Sequence, residues 1–433
     1  GQAVRRQIIP SIASQMVILL YNLADTYFVG LLNDASQTAA VSLAYSVTLL
    51  MTALANLFAV GGAGRIAQLL GRRDRDGARE VCAVSFWFAL LASAAFCVLF
   101  TLLSSPILRL CGATDETYAL ACGYSRWVIS VGGTFSILNT VLANLIRADG
   151  SAFAASMGVS AGGIINMLLD PLFVLPRFLG MGAEGAGLAT AISNAAGMLI
   201  LLGIIAARRR VGVVALRPGD LRAARRHIGR ILRIGLPSAV QFLLTLVAVG
   251  ALTKFMSLYD TAAVAALGIV KKLDMLPLYF SIGVANGLLP LLAYNYSAGN
   301  HERRHRIFLC GCAVAVGFSV VCVAGYEVFA PALVRIFIGD AQTIAYGTKL
   351  LRIMVLAMPM MSVCYPMITQ FQAMGRMRES LICSILRKGS LDIPLLFVLN
   401  ALFPLYGCAA VQPIVDCICM IVAIYFYKKL PTA

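Results

Sequence analysis

Charge is what this sequence has least of. Asp, Glu, Lys and Arg make up 12% of the chain against 60% hydrophobic residues, about half the charge of an ordinary soluble domain. So few charges cannot wet a water-facing exterior, which excludes a soluble globular protein and leaves one bounded largely by lipid. Histidine is almost missing. His227, His301 and His305 all fall in basic connecting stretches, so no histidine-based catalytic or metal centre lies inside an apolar run. The twelve cysteines include no C-x-x-C pair, and nearly all sit in apolar runs, where thiols act as small hydrophobes and not as a disulfide framework. Acidic residues number 19 against 35 basic ones, for a formal charge of +16. The arginines cluster between apolar runs instead of forming one stripe, which argues against nucleic-acid binding.

What is present is a series of long apolar runs. Stretches of about 20 or more such residues, enough to cross a bilayer, occupy 10–32, 38–68, 81–103, 119–146, 152–175 and 183–207, then 231–258, 262–296, 308–329, 343–375, 381–403 and 408–427. Six plus six spans predict an all-α polytopic membrane protein. With the amino terminus inside, 23 basic residues fall in cytoplasmic connections or ends, against Arg109, Arg177 and Arg335 outside. That bias places both termini of a multi-pass membrane protein in the cytoplasm. No small-residue cleavage site follows the first apolar run, so it reads as a retained span.

The two halves echo each other. Leu236-Pro237-Ser238 repeats Ile9-Pro10-Ser11 at an offset of 227, and Ala265-Ala266-Leu267 repeats Ala39-Ala40-Val41 at 226. Pro331, Gly375 and Gly407 repeat Pro106, Gly150 and Gly182 at 225. A nearly constant offset argues for duplication. An even number of spans per copy gives both copies the same orientation, and hence two pseudo-symmetric six-helix bundles around a central cleft. The lobes are expected at 1–207 and 231–433, joined by a basic cytoplasmic linker at 208–230 whose arginines and apolar residues suit an anionic leaflet. Since duplication supplies both walls of a cleft, a functional monomer is expected.

Buried charge points to the working residues. Asp25 sits about seven residues, or roughly 10 Å, inside the outer end of the first span, where a carboxylate either serves an internal cavity or caps a turn in the headgroup zone. Asn166 and Asp170 are an i, i+4 pair on one face of the fifth span, and Thr190 lies at a similar depth on the sixth. These oxygens suit a hard cation, Na⁺ or H⁺, shared by two like charges. They equally suit a hydrogen-bonded network that ties three helices together. The offsets carry Asp25 to Leu252, Thr190 to Val415 and Asp170 to an apolar position, so the second half does not repeat the carboxylates and one ion site is expected. Asp392 either faces the cleft or pairs with Arg387 or Lys388. Lys271 and Asp274 are spaced for an i, i+3 pair on the eighth span. Met354, Met358 and Met361 recur at helical spacing as a substrate wall or as ordinary packing. Asn22, Asn139 and Asn144 add uncharged polar groups to the first bundle.

Several motifs together resemble the multidrug and toxic compound extrusion (MATE) transporters, most closely their DinF-like bacterial branch. They are Tyr21-Asn22-Leu23-Ala24-Asp25, the Gly71 to Ala78 stretch GRRDRDGA, Ile146-Arg147-Ala148-Asp149-Gly150, Ile165-Asn166-Met167-Leu168-Leu169-Asp170-Pro171, Gly185-Ala186-Gly187-Leu188-Ala189-Thr190, Gly235-Leu236-Pro237-Ser238 and Ala293-Tyr294-Asn295-Tyr296. The resemblance spans essentially the whole chain. It implies twelve helices in two lobes, alternating access, and export of organic cations, drugs or amphiphilic metabolites against inward H⁺ or Na⁺. It matches Asp25, Asn166, Asp170 and Thr190 to the ion-coupling residues of the amino-terminal lobe and Asn139 to a cavity asparagine. One departure stands out: where the family's other main branch has an acid on the seventh span, this chain has Gln241. A flippase of lipid-linked saccharides is the nearest alternative. An intramembrane enzyme lacks any nucleophile or metal spacing, and no cofactor beyond the coupling ion is expected.

Overall fold

The structure is a computed structural model that describes residues 2–32, 34–110, 115–337 and 339–429, with no strand among them. Lipid offers no partner to a backbone N–H or C=O, so each apolar run closes its own hydrogen bonds as a helix. The helices are α1 (Gln2–Gly30), α2 (Ala35–Gly71), α3 (Arg75–Leu110), α4 (Asp115–Ser125), α5 (Gly133–Ala148), α6 (Ala152–Val174) and α7 (Gly182–Ala207). After a basic connection follow α8 (Ala224–Ser257), α9 (Thr261–Ser297), α10 (His301–Arg335), α11 (Ala341–Val355), α12 (Met358–Ala373), α13 (Met377–Ile385), α14 (Asp392–Leu402) and α15 (Tyr406–Lys428). The repeat extends to the caps. Asp34 accepts from Ser36 N at 2.9 Å to start α2, and Asp260 accepts from Ala262 N at 3.0 Å to start α9, each satisfying an otherwise orphaned helical donor.

Among the described residues nine helices are long and apolar enough to cross a membrane, or eleven if two bent pairs each count as one span. The bent pairs are the predicted runs 119–146 and 343–375, broken by 46° between α4 and α5 and by 44° between α11 and α12. The first break follows a π-turn, Arg126–Val131, whose extra residue loops the chain so that Gly132 N bonds Trp127 O at 2.8 Å. A Cβ on Gly132 would lie 2.7 Å from that oxygen. At the second break Pro359, in the first turn of α12, supplies no N–H to continue the ladder. The predicted run 381–403 is divided into α13 and α14 by a second π-turn, Leu386–Ser390, in which Lys388 leaves helical geometry (φ −136°, ψ 20°). Three charges, Arg387, Lys388 and Asp392, interrupt its apolar character.

The chain divides into two compact units, Ala13–Ala239, and Gly1–Ile12 with Val240–Ala433. Each boundary falls just past a proline inside a helix, Pro10 in α1 and Pro237 in α8, and the boundaries differ by the same offset, 227, that relates those prolines. Each repeat therefore lends the head of its first helix to the other repeat's unit. Glycines make room for the exchange. In the first unit a Cβ on Gly235 of α8 would lie 1.9 Å from Leu57 O of α2, and one on Gly61 2.2 Å from Ile231 O. In the second, Gly287 and Gly283 of α9 would each press a Cβ to 2.7 Å from the Cα of Ile8 and Ile12. Backbones this close tolerate no side chain. Gly235→Val is expected to destabilise the protein by about 3 kcal/mol or more through overpacking. Gly229→Ala on the same helix, with nothing within 4 Å, should be neutral. Thermal melting of the two purified variants compares them.

The basic connection is held against the first unit. Val213 N donates to Asp149 Oδ1 at 3.1 Å, Trp87 Nε1 donates to Leu216 O at 3.2 Å, and His227, buried at the head of α8, meets Glu80 at 2.8 Å. Asp149 lies in the turn after α5; burial pushes its carboxyl above the usual range and the Val213 N–H pulls it back. Asp149→Ala removes this anchor, worth about 1.5 to 3 kcal/mol for a bond to a charged acceptor. Trypsin should then cut the arginine-rich stretch 208–217 faster than in the parent. Unchanged cutting would show that Asp149 does not hold the segment.

Candidate functional site

The first unit gathers its polar residues through close helix packing. α6 and α7 meet at glycines: a Cβ on Gly158, Gly162 or Gly185 would lie 2.4 Å from Leu201 Cδ2, 3.1 Å from Ser193 O or 2.5 Å from Phe173 O. Small residues let the two backbones approach, and Asn166 Nδ2 reaches Thr190 Oγ1 at 3.3 Å. α1 joins the pair at Gly163, where a Cβ would lie 2.7 Å from Val17 Cγ1 and 3.1 Å from Tyr21 Cδ1. One turn beyond Tyr21 on the same face is Asp25, and one turn beyond Asn166 is Asp170.

The two acids and Asn166 are withdrawn from the surface, while Tyr21 and Thr190 are half-buried. Asp170 is 0% exposed, Asn166 1% and Asp25 9%. Asp25 and Asp170 lie close enough to act on each other's charge, and buried Tyr124, at the end of α4, lies in the field of both and of Tyr21. Asp25 Oδ1, both Asp170 oxygens and Asn166 Oδ1 have no hydrogen-bond partner among the described residues, and neither acid belongs to an ion pair there. A carboxylate left uncompensated out of water is penalised by several kcal/mol. Two of them beside an amide and a hydroxyl oxygen form a set that a shared proton or a hard metal ion would stabilise.

The rim is built by the π-turn. Trp127 Nε1 donates to Glu184 Oε1 at 3.0 Å, and a Cβ on Gly187 of α7 would lie 2.8 Å from Tyr124 O. Tyr124, Trp127 and Glu184 carry no motif of their own, and only the helix break gathers them. Asn139 Nδ2 donates across to Asn194 Oδ1 of α7 at 3.4 Å, whereas Asn144 bonds back to Thr140 O and Asn22 to Ile18 O, each at 2.9 Å. Met354, Met358 and Met361 are buried in the second unit, the first two within an apolar cluster that includes Leu350, Leu351 and Leu396.

The profile of the MatE family matches residues 10–172 and again 237–398, one match for each repeat. The chain belongs to the MatE family. This makes it a multi-pass membrane transporter and not an enzyme. Among its MatE-family relatives, the multidrug export protein MepA of Staphylococcus aureus is 29% identical over 416 residues, covering 96% of this chain and 90% of that protein. MepA of Staphylococcus haemolyticus is 27% identical over 422 residues, covering 98% and 92%. A multidrug resistance MATE family transporter of the MOP superfamily, solved in an outward-facing conformation, superposes with a TM-score of 0.91 at 26% identity over 98% of this chain and 94% of its own. A MOP superfamily transporter from Pyrococcus furiosus, described by the reverse polarity of its binding pocket, superposes with a TM-score of 0.92 at 26% identity, with the same coverage.

The second unit of this MatE protein holds buried charges that the sequence offsets did not reveal. Arg387 Nε meets Asp416 Oδ1 at 3.0 Å with both side chains no more than 1% exposed, and the Arg387 guanidinium lies 4.3 Å from the centre of the Tyr365 ring. Gln412 Nε2 donates to Asp416 Oδ2 at 2.7 Å, and Lys388 Nζ donates to Gln412 Oε1 at 2.6 Å. Of the two readings of Asp392, an ion pair with Arg387 or Lys388 is not found among the described residues, because Arg387 in the π-turn is engaged by Asp416 on α15. Lys271 likewise makes no ion pair with Asp274 among the described residues. Asp416 stands one position away from Val415, the equivalent of Thr190 at an offset of 225, and Asp392 three positions from Leu395, the equivalent of Asp170 at the same offset. Shifts of one and three positions along a helix were enough to make the second half look empty of acids. The signal was a carboxylate inside the apolar run of α15. Gln241, on α8, is buried.

Proposed function

We propose that this MatE protein is an antiporter of a bacterial cytoplasmic membrane, with both termini in the cytoplasm, that exports organic cations, drugs or amphiphilic metabolites in exchange for inward H⁺ or Na⁺. The observation that carries the reading is the pair of buried acids, Asp25 and Asp170, with unpartnered oxygens beside the Asn166–Thr190 bond in one unit. The drug-export activity named for its Staphylococcus relatives supports the cargo class. In this reading a cation entering from outside occupies the acids and cargo leaves in the other half of the cycle. Exchange requires only that the two access states differ in cation affinity. The chain acts as a monomer.

The test is transport of ethidium, a fluorescent organic cation, by the purified protein in vesicles under a proton gradient alone and a Na⁺ gradient alone. Ethidium movement against its own gradient under at least one of them is expected. Ethidium that only equilibrates, whichever gradient is imposed, would rule the antiporter out.

A further inference from the structure

Matching contacts register the two repeats more finely than a constant offset does. A left-handed glycine closes the turn before α6 and again before α13, Gly150 (φ +82°) and Gly375 (φ +71°), at a spacing of 225. In the second π-turn the spacing becomes 226: a Cβ on Gly163 would lie 2.7 Å from Val17 Cγ1, and one on Gly389 2.8 Å from Leu244 Cδ1. The extra residue is the one that a π-turn inserts. The connection from α6 to α7 then covers residues 175–181 and that from α14 to α15 only 403–405, four fewer, and the spacing drops to 222. There a Cβ on Gly185 would lie 2.5 Å from Phe173 O, and one on Gly407 2.0 Å from Leu399 O.

In this register Asp25 corresponds to Leu252, Gly162 to Lys388, Asn166 to Asp392, Asp170 to Leu396 and Thr190 to Gln412. Those five residues of the second unit all line one hollow, which is therefore the counterpart of the acid site in the first. Its chemistry is inverted. Leucines replace both acids, and a lysine stands where Gly162 leaves little room for a side chain, a Cβ there lying 3.1 Å from Ser193 O. Lys388 can enter because the π-turn takes it out of helical geometry. Its Nζ donates to Gln412 Oε1 at 2.6 Å, and Gln412 Nε2 donates to Asp416 Oδ2 at 2.7 Å. The counterpart of Thr190 thus holds an ammonium, and beside it the hollow keeps space for about one water.

We propose that the second unit carries a cation site of the same design as the first, permanently loaded by the Lys388 ammonium. The first unit takes its cation from solution, whereas the second holds one on a tether. A charge that cannot dissociate cannot be exchanged between access states, so only the first unit turns cations over. That consequence rests on the antiport reading; the tethered ammonium does not.

Chemical rescue tests the tether. Lys388→Ala empties the chain beyond Cβ, whose atoms are those of propylammonium. Thermal melting is followed for the full chain in non-ionic detergent at fixed ionic strength, in an Asp25→Asn, Asp170→Asn background that leaves neither acid of the first site to bind the probe. Lys388→Ala is expected to melt several degrees lower, because a cavity opens and Gln412 Oε1 loses its donor. Propylammonium chloride should restore most of that loss, saturably. 1-Propanol has the shape without the charge, and tetramethylammonium the charge without an N–H for Gln412, so both should restore little. The background should respond to none of the three. Equal restoration by propanol would make Lys388 a space filler, equal restoration by tetramethylammonium would show no bound ammonium, and no restoration by propylammonium would show no cation site. Each of these results overturns the proposal, as does an equal response of the background. Should Lys388→Ala not fold, Lys388→Met decides: its chain is nearly as long but uncharged, so it should melt below the background, and melting level with it overturns the proposal. If rescue fails while Asp25→Asn still stops ethidium export, the antiport reading stands. If ethidium is never exported against its gradient, the tethered ammonium still stands on its rescue.

Discussion

Asp25→Asn is expected to abolish gradient-driven export while the protein folds as before. The amide has the volume of the carboxylate, so the packing of α1 on α6 at Gly163 is undisturbed. What it loses is a charge that no ion pair compensates among the described residues and an oxygen, Oδ1, that has no hydrogen-bond partner there. Removing an unpaired buried charge does not weaken a fold, so thermal stability in detergent should stay level or rise. Export of ethidium against its gradient should fall at least about a hundredfold, the equivalent of roughly 2.7 kcal/mol of lost coupling. Asp170→Asn should do the same. The double variant should be no worse than either single one, because two acids that hold one cation act as a unit. Thr190→Val tests the support: Asn166 Nδ2 loses its acceptor, and a weaker, partial loss follows. Full ethidium export by either asparagine variant would remove these acids from the cycle.

The elements written most plainly in the sequence are those set by local chemistry. Apolar runs mark helices, and the offsets near 226 mark the repeat, down to the capping aspartates Asp34 and Asp260. The breaks were harder to read, because a π-turn such as Arg126–Val131 has no composition of its own and arises where Gly132 must pack against Trp127 and Ala191. The exchange of helix heads was legible only in retrospect, in Pro10 and Pro237 with glycines spaced like Gly61 and Gly287. In the first unit depth counting put Asp25, Asn166, Asp170 and Thr190 at one level, and the structure brings Asn166 and Thr190 into contact with both acids buried nearby. In the second unit the same arithmetic failed. Offsets locate backbone positions, whereas charges pair by the direction of side chains, and the turn at Arg387–Lys388 redirects two of them. Tyr124 shows the same limit, since its place in the field of both acids depends on a bend and not on spacing.

The redirected pair leads to the second large effect: Asp416→Ala should destabilise the protein by about 3 to 5 kcal/mol. Arg387 is 1% exposed and its Nε is met by Asp416, while Nη1 already has no hydrogen-bond partner among the described residues. Without the carboxylate a guanidinium stays buried beside the Tyr365 ring, and a cation–π contact is worth about 2 kcal/mol when desolvated, too little to replace the lost partner. The truncation also leaves Gln412 Nε2 without its acceptor, a further penalty of about 1 to 3 kcal/mol. Folded yield should drop accordingly, and what folds should melt well below the parent. Replacing both partners, Arg387→Met with Asp416→Leu, discards the charge along with its counter-charge and should recover most of the loss, since well-packed apolar pairs often match a buried ion pair. The difference between the single and double variants, measured by melting in the same detergent, is the coupling between the two side chains. If Asp416→Ala melts with the parent, or the double variant falls as far as the single, then the pair does not hold α15 against the π-turn and the position of Lys388 needs another cause.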